Sequence, residues 1–463
     1  MKMALVMSMA VFAAASGGAL EIAAGEDATA EIQARIDAAF LAGGGEVRIP
    51  EGTHHVRGLR LRSGVMLHLE RGAVLLASRD TAAYDDVFTN DAVEPLPVGD
   101  DNASGMAMNR YNRAVIRLHG ATGASIIGEP GSAIDGDNGF NPDGEERYRG
   151  VHAICATDST NLLFRGFEVR HAGNWAFRMV RCSNLVFERL TVLAGHDGVH
   201  CKACRNVRVE DCFLHTGDDC VAGYANEDLE VRRCDLSSAC NILRLGGRRI
   251  LVEHCVAHGP CEYVFRGSLT PEQKRDGLWD PDTVAGRHST ATFFLYFGDV
   301  TMPNPEGLVP GDILIRDCRV RNVARLIRYN HGHERWQRGL PLQSLRMERI
   351  EASGLSLPCA LVGGIGEKRG EWPLDFEMSD CSLSFSEPVE EVFSCANVRS
   401  MALSNVAIAA LPAADGAHDG RPPLVRSWDG ATPELRLSGV SGADEALAFG
   451  DGGAWRCPMR RAP

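Results

Sequence analysis

Four consecutive segments decide the fold: SNLVFERLTV from Ser183, RNVRVEDCFL from Arg205, EDLEVRRCDL from Glu227 and RRILVEHCVA from Arg248. They open the units Ser183–Cys204, Arg205–Asn226, Glu227–Gly247 and Arg248–Leu269, at intervals of 22, 22 and 21 residues. A fixed period of this size is the signature of a solenoid. In a solenoid of short strands, successive rungs stack about 4.8 Å apart. Asp197 and Asp219 are 22 residues apart and therefore fall one above the other, with Asp218 beside them in the run Thr216-Gly217-Asp218-Asp219-Cys220.

Folding does not require three carboxylates on two adjacent rungs. Like charges this close repel, and a carboxyl so crowded retains its proton to higher pH. A protonated carboxyl can donate to a glycosidic oxygen, while an ionised one draws a proton from water on the opposite face of the sugar. The bland alternative is that Gly217-Asp218-Asp219 is an ordinary turn; Asp197 one coil below weighs against it.

The chain has 463 residues, 44% of them hydrophobic and 6% aromatic, with 50 glycines marking many turns. The period argues for one elongated domain over residues 19–463 rather than several compact ones. A net charge of −13 argues against nucleic acid and anionic membrane surfaces as partners. It also opposes a polyanionic substrate unless basic residues gather in the cleft. Residues 1–18 read as an export signal: Lys2, the apolar run Met3–Ala15, then Ser16-Gly17-Gly18-Ala19 for cleavage. The expected location is secreted or periplasmic, and a monomer is expected.

Fifteen cysteines are an odd number for an exported chain. Cys212, Cys234 and Cys255 follow the coil period, as do Cys182 and Cys204. Stacked inward thiols acting as small apolar side chains suit that spacing better than a disulfide framework.

Ahead of the coils, Ala28–Leu41 carries Ile32, Ile36 and Phe40 at helical spacing, with Thr29 as a candidate N-cap and Gly43-Gly44-Gly45 as the stop. A helix here suits a cap over open strand edges. Short alternating runs follow at Glu46–Ile49, Leu59–Leu61, Val65–Leu69 and Ala73–Leu76. Asp85–Asn109 reads as an excursion loop, and regular coils resume near Ala114. Pro271–Gly311, which contains Trp279 and the run Phe293–Phe297, reads as a long insertion on the binding face. The repeat returns at DILIRDCRV, LRMERIEAS, FEMSDCSLS and VRSMALSNV (residues 312–320, 345–353, 376–384 and 398–406) and weakens after Ala407.

These features together resemble the polygalacturonase-type glycoside hydrolases of family 28. The resemblance begins with AEIQARIDAAFLAGGGEVRIPEG and LRLRSGVMLHLERGAVL within Ala30–Leu75, continues through Ile134-Asp135-Gly136, and centres on two motifs. The family's Asn-Thr-Asp-Gly appears as Gly195-His196-Asp197-Gly198, and its Gly-Asp-Asp stands intact at Gly217-Asp218-Asp219. The resemblance implies a right-handed parallel β-helix and inverting hydrolysis of a pectin-like polysaccharide or oligosaccharide. It makes Asp218 the general acid and Asp197 with Asp219 the pair that activates water. Two motifs depart from the family. Asn241 stands where the Gly-His-Gly histidine would fall, and Arg-Ile-Lys has no clear counterpart, although Arg266 lies near its place and Arg244 one coil earlier.

Around the carboxylates, Trp175 could line a sugar subsite or simply pack on the next rung. Arg178, His200 and Arg244 share a column and form a stripe that could grip substrate or be a solvated face. His196, within the first motif, joins Asn241 and Arg266 as a candidate substrate contact. His196, His200, Cys201 and Cys204 could suggest zinc, but four extended residues span about 13 Å, too far for one ion. Asp135-Gly136-Asp137-Asn138-Gly139 lacks the Gly and Glu placement of a calcium loop and reads as a turn. No metal or cofactor is expected. Two rival readings stay open: a lyase on the same scaffold, with Arg244 as base, and a non-catalytic carbohydrate-binding solenoid.

Overall fold

The computed structural model describes residues 27–84, 113–139, 150–265, 289–298, 305–331, 337, 339–363, 373–412 and 421–450. The expected export signal, the Asp85–Asn109 excursion and Arg266 lie outside the described residues, as does most of Pro271–Gly311.

Among the described residues, thirty-two strands pair in parallel and wind into a right-handed parallel β-helix. Each coil contributes one strand to each of three sheets. In the first sheet the register runs Ser183↔Arg205↔Glu227↔Arg248↔Gly311, so the four repeats superpose as their period requires. The second contains Phe213–Thr216, Asp235–Ser238 and Val256–His258 on successive coils. The third begins at Leu59–Arg60 and stacks Phe177–Val180, Val199–Lys202 and the first residues of Val221–Arg232 and Asn241–Glu253.

Alternation within each strand sends one side chain in two to the axis. Leu185, Phe187, Val207, Val209, Leu229 and Val231 are buried there. Phe164, Phe177 and Phe187 pack ring to ring with centroids 5.2–5.4 Å apart. Burying each such side chain contributes about 1.5–3 kcal/mol. At the corners the chain turns through left-handed backbone. Asn161, Asn184, Asn206 and Asp228 occupy one such column, and Asp211, Arg233, His254 and Asp317 another. The Asn and Asp residues among them tolerate this conformation by bonding locally. Asn206 donates to Asn184, which donates to Asn161, at 2.7 and 2.8 Å.

All 14 described cysteines are free thiols. Cys212, Cys234, Cys255 and Cys318 stand on successive coils, each donating to the carbonyl two residues before it at 3.1–3.4 Å. Such a thiol fills a tight inward corner and satisfies one carbonyl at once.

The helix spans Thr29–Leu41, and two details of its expected form are corrected. Thr29 is its first turn, not its cap: the Thr29 backbone N–H donates to Asp27 Oδ1 at 3.0 Å, while the Thr29 hydroxyl accepts from Arg57 N at 2.8 Å. Ile32, Ile36 and Ala39 are buried, whereas Phe40 is half exposed beneath the Arg62 guanidinium. Asp27 accepts the first-turn N–H in place of Thr29, and Ala39 completes the apolar face one residue earlier than the pattern suggests.

The aromatic run is also corrected. Thr292–Tyr296 is a strand of the third sheet, pairing with Asn241–Leu245 on one side and Arg325–Arg328 on the other. Pro271–Gly311 is therefore not one continuous insertion, because a rung of the third sheet runs through it. Phe293, Phe294 and Tyr296 are all buried, so the apolar run records a strand covered on both faces. The regular ladder also extends beyond Ala407 through Pro423–Ser427, Glu434–Ser438 and Asp444–Phe449. Among the described residues no helix is long and apolar enough to cross a membrane.

Candidate active site

The site lies at the edge of the third sheet, where each coil enters it. The turns carrying Asp197 and Asp219 stack directly: Gly198 N donates to Asp219 O at 2.9 Å, and Ala176 N to Asp197 O at 2.9 Å. This places Trp175, Asp197, Asp219 and Asn241 in one column. Close backbone approach explains the glycines of both motifs. A Cβ on Gly198 would stand 2.5 Å from Cys220 O, and one on Gly217 would stand 2.2 Å from Val264 O. The Asp218 carbonyl is held from two sides, by Thr216 Oγ1 at 2.6 Å and Ser238 Oγ at 2.7 Å.

Asp219 is fully buried and Asp218 is 9% exposed. Burial, then the charge of Asp218, pushes the Asp219 carboxyl up to about 7; Arg244 and the Asn241 amide oppose this. Asn241 Nδ2 donates to Asp219 Oδ1 at 2.9 Å, and Arg244 Nη1 lies 3.5 Å from Asp219 Oδ2. Asn241 thus supplies a fixed amide donor to the Asp219 carboxyl. Two interacting carboxyls titrate as a unit, so the pair holds one proton near neutrality.

Asp197 is positioned from the next strand. Its Oδ2 lies 2.5 Å from His200 Nδ1. Burial and then the charges of Lys202, Arg244 and Arg178 hold His200 well below the usual imidazole range. The contact is therefore a neutral imidazole N–H donating to a carboxylate, not an imidazolium pair. His200 is fixed in turn by stacking on Trp175, with centroids 3.9 Å apart and planes 8° from parallel.

The pairing Arg178↔His200↔Ala222↔Arg244 places the basic stripe in one column. The stripe is not a solvated face: Arg178 is fully buried, and its Nη1 reaches Cys155 Sγ at 3.4 Å. His196 is fully buried as well. Trp175 is 7% exposed and packs on His200, so it supports the site from behind. Arg244 is the partly accessible member. Its guanidinium lies 3.8 Å over the Phe297 ring. Burial would lower its pKa, but Asp219, Asp218 and Asp197, in that order, outweigh this and raise it. One cation thus senses all three carboxylates.

Sequence reading missed Lys202, Tyr224 and Phe297. Lys202 lies 5.4 and 5.7 Å from the rings of Trp175 and Tyr224. It sits two residues after His200 on the same strand and so on the same face, which was the available signal. Phe297 was assigned to an insertion instead of to the coil that follows Arg244's.

The fold is a parallel β-helix, and its carboxylate motifs resemble those of polygalacturonases. The model of the family "Glycosyl hydrolases family 28" matches residues 99–239, which include all three carboxylates. A curated relative from Vitis vinifera, described as "Probable polygalacturonase", is 30% identical over 192 residues, 39% of this chain. That match spans 37% of the relative's length. Among solved structures, an exopolygalacturonase from Thermotoga maritima aligns with a TM-score of 0.60 at 15% identity, covering 83% of this chain and 88% of that one. A polygalacturonase from Erwinia carotovora ssp. carotovora aligns with a TM-score of 0.58 at 16% identity, covering 81% and 94%. These two likenesses establish the fold.

Proposed function

We propose that this protein is a glycoside hydrolase that cleaves an acidic, pectin-type polysaccharide with inversion of configuration. The observation that carries the proposal is the grouping of Asp197, Asp218 and Asp219 around Arg244, with one proton retained by the Asp218–Asp219 pair near neutral pH. Asp218, the more accessible of the pair, gives its proton to the glycosidic oxygen as the bond to the anomeric carbon breaks. Water attacks that carbon from the opposite face, and its proton passes to the carboxylate of Asp197, with Asp219 completing the pair. The His200 N–H orients Asp197 for this role.

An acidic sugar is favoured by local charge. The chain is net negative, yet Arg178, Lys202 and Arg244 converge on His200 beside the carboxylates. Their field suits a uronate, with Arg244 the contact within reach. The lyase reading loses ground on the same observation. A guanidinium whose pKa is raised by three carboxylates is a worse base, not a better one.

Reducing-end release from a panel of pectic and neutral polysaccharides tests the reading, with proton NMR of the first product formed. Release from galacturonan or rhamnogalacturonan, with the new anomer opposite to the bond cleaved, is expected. An unsaturated product absorbing in the ultraviolet would instead assign a lyase, and binding without turnover would assign a carbohydrate-binding solenoid.

A further inference from the structure

A second cluster of chemistry-bearing side chains stands on the outer face of the second sheet. His215, Asp235 and His258 come from three successive coils, in the register His215↔Ser237↔His258 and Phe213↔Asp235. His215 Nε2 lies 3.0 Å from Asp235 Oδ1, and His258 Nε2 lies 3.1 Å from the same oxygen. The three ligand atoms all lie within 4.8 Å of one another.

Three features point to a metal ion. The first is spacing. Ligand atoms 2.0–2.1 Å from one ion, at angles between a right angle and the tetrahedral one, stand about 2.9–3.4 Å apart. Both observed separations fall in that range. The second is the tautomer of His215. Its Nδ1 lies 3.0 Å from Glu262 Oε1, so both ring nitrogens face carboxylate oxygens. A neutral imidazole has one N–H. With Nδ1–H donated to Glu262, the Asp235 oxygen calls for a positive centre at Nε2, supplied by a second ring proton or by a metal ion. The third is the carboxylate behind the histidine, the arrangement that fixes ring orientation and raises basicity in metal-bound histidine. The His215 ring is also held in place by stacking on Phe213, with centroids 3.7 Å apart.

We propose that His215, Asp235 and His258 bind one divalent ion of zinc type, with Glu262 as the positioning carboxylate. Two imidazoles and one carboxylate favour zinc over calcium or magnesium. The ion would join three coils and tie down the segment Cys261–Phe265. That segment presses on the catalytic turn: Cys261 Sγ meets Thr216 O at 3.4 Å, and Val264 O closes on Gly217. The ion therefore acts as a staple behind Asp218 and takes no part in the proton transfers, so the inference stands whether or not the proposed hydrolysis does.

The test uses the full chain, stripped with a chelator and titrated with Zn²⁺ alone and with Co²⁺ alone at neutral pH. One ion per chain is expected, with the visible Co²⁺ spectrum of nitrogen and oxygen ligands. His258→Ala should abolish binding, and Glu262→Gln, at a side chain 57% exposed, should weaken it by about 10–100-fold. Circular dichroism of both variants establishes that they fold. Wild-type protein that takes up neither ion at micromolar concentration would overturn the proposal. So would binding unchanged in both variants, or an intense thiolate-to-cobalt band that persists in His258→Ala, which would place the ion on the cysteines.

Discussion

At the residue scale, the chemistry depends on where one proton resides. Asp219 is raised from 3.8 to about 7, so in this range the folded chain binds more protons than the unfolded one. Its contribution to stability is complete below about pH 4 and is lost as pH rises through about 7. Asp219→Asn should remove this slope, so that the thermal midpoint of the variant changes less than that of wild type between those limits. Asp135 carries the opposite sign. Burial would raise it, but His171 and Arg170 hold it at about 2. Its contribution is lost as pH falls from about 4 to about 2, and Asp135→Asn should flatten the acid side of the same profile. Arg244 opposes the rise at Asp219, so Arg244→Gln should move the alkaline limb of kcat/KM to higher pH while raising KM for an acidic substrate. An alkaline limb that stays in place would separate Arg244 from the acid–base pair. The grouping of Asp197, Asp218 and Asp219 was legible because a 22-residue period fixes which residues stack, whereas their separate roles came from the family resemblance. Which of them is buried was not legible from the period alone, since neighbouring coils such as those of Val264 and Ser238 also pack on this turn.

At the element scale, the turns are set by backbone contact and the corners by small side chains. Gly217→Ala should fold yet lose activity, because the added methyl must displace either the Val264 carbonyl or the turn that carries Asp218. Ile32→Ala in the helix should cost about 2–5 kcal/mol at the N-terminal end, seen as early loss of amide protection there relative to the central coils. The helix was legible from Ile32 and Ile36, whereas its start was not, because Asp27 rather than Thr29 supplies the oxygen that binds the first turn. Thr292–Tyr296 was misread for a physical reason too. A strand covered on both faces loses its alternation, and the period that would have revealed it is broken by the residues inserted ahead of it.

At the scale of the whole molecule, a solenoid brings residues of fixed separation together along columns and leaves everything else to the insertions. The column Trp175, Asp197, Asp219 and Asn241 follows from the period, as does Arg178, His200 and Arg244. The cluster His215, Asp235 and His258 does not, because its carboxylate reaches across from the neighbouring column, at separations of 20 and 23 residues. The same architecture lets the net charge and the local charge disagree: −13 overall, with three cations gathered at one site. The most direct measurement is reducing-end release from polygalacturonate by wild type beside Asp197→Asn, Asp218→Asn and Asp219→Asn, each shown to fold by circular dichroism. Release by wild type, with each variant slower by about 10²–10⁴-fold, is predicted. Undiminished turnover by folded Asp218→Asn would contradict the assignment of the acid, and with it the reading of these three carboxylates as the catalytic centre.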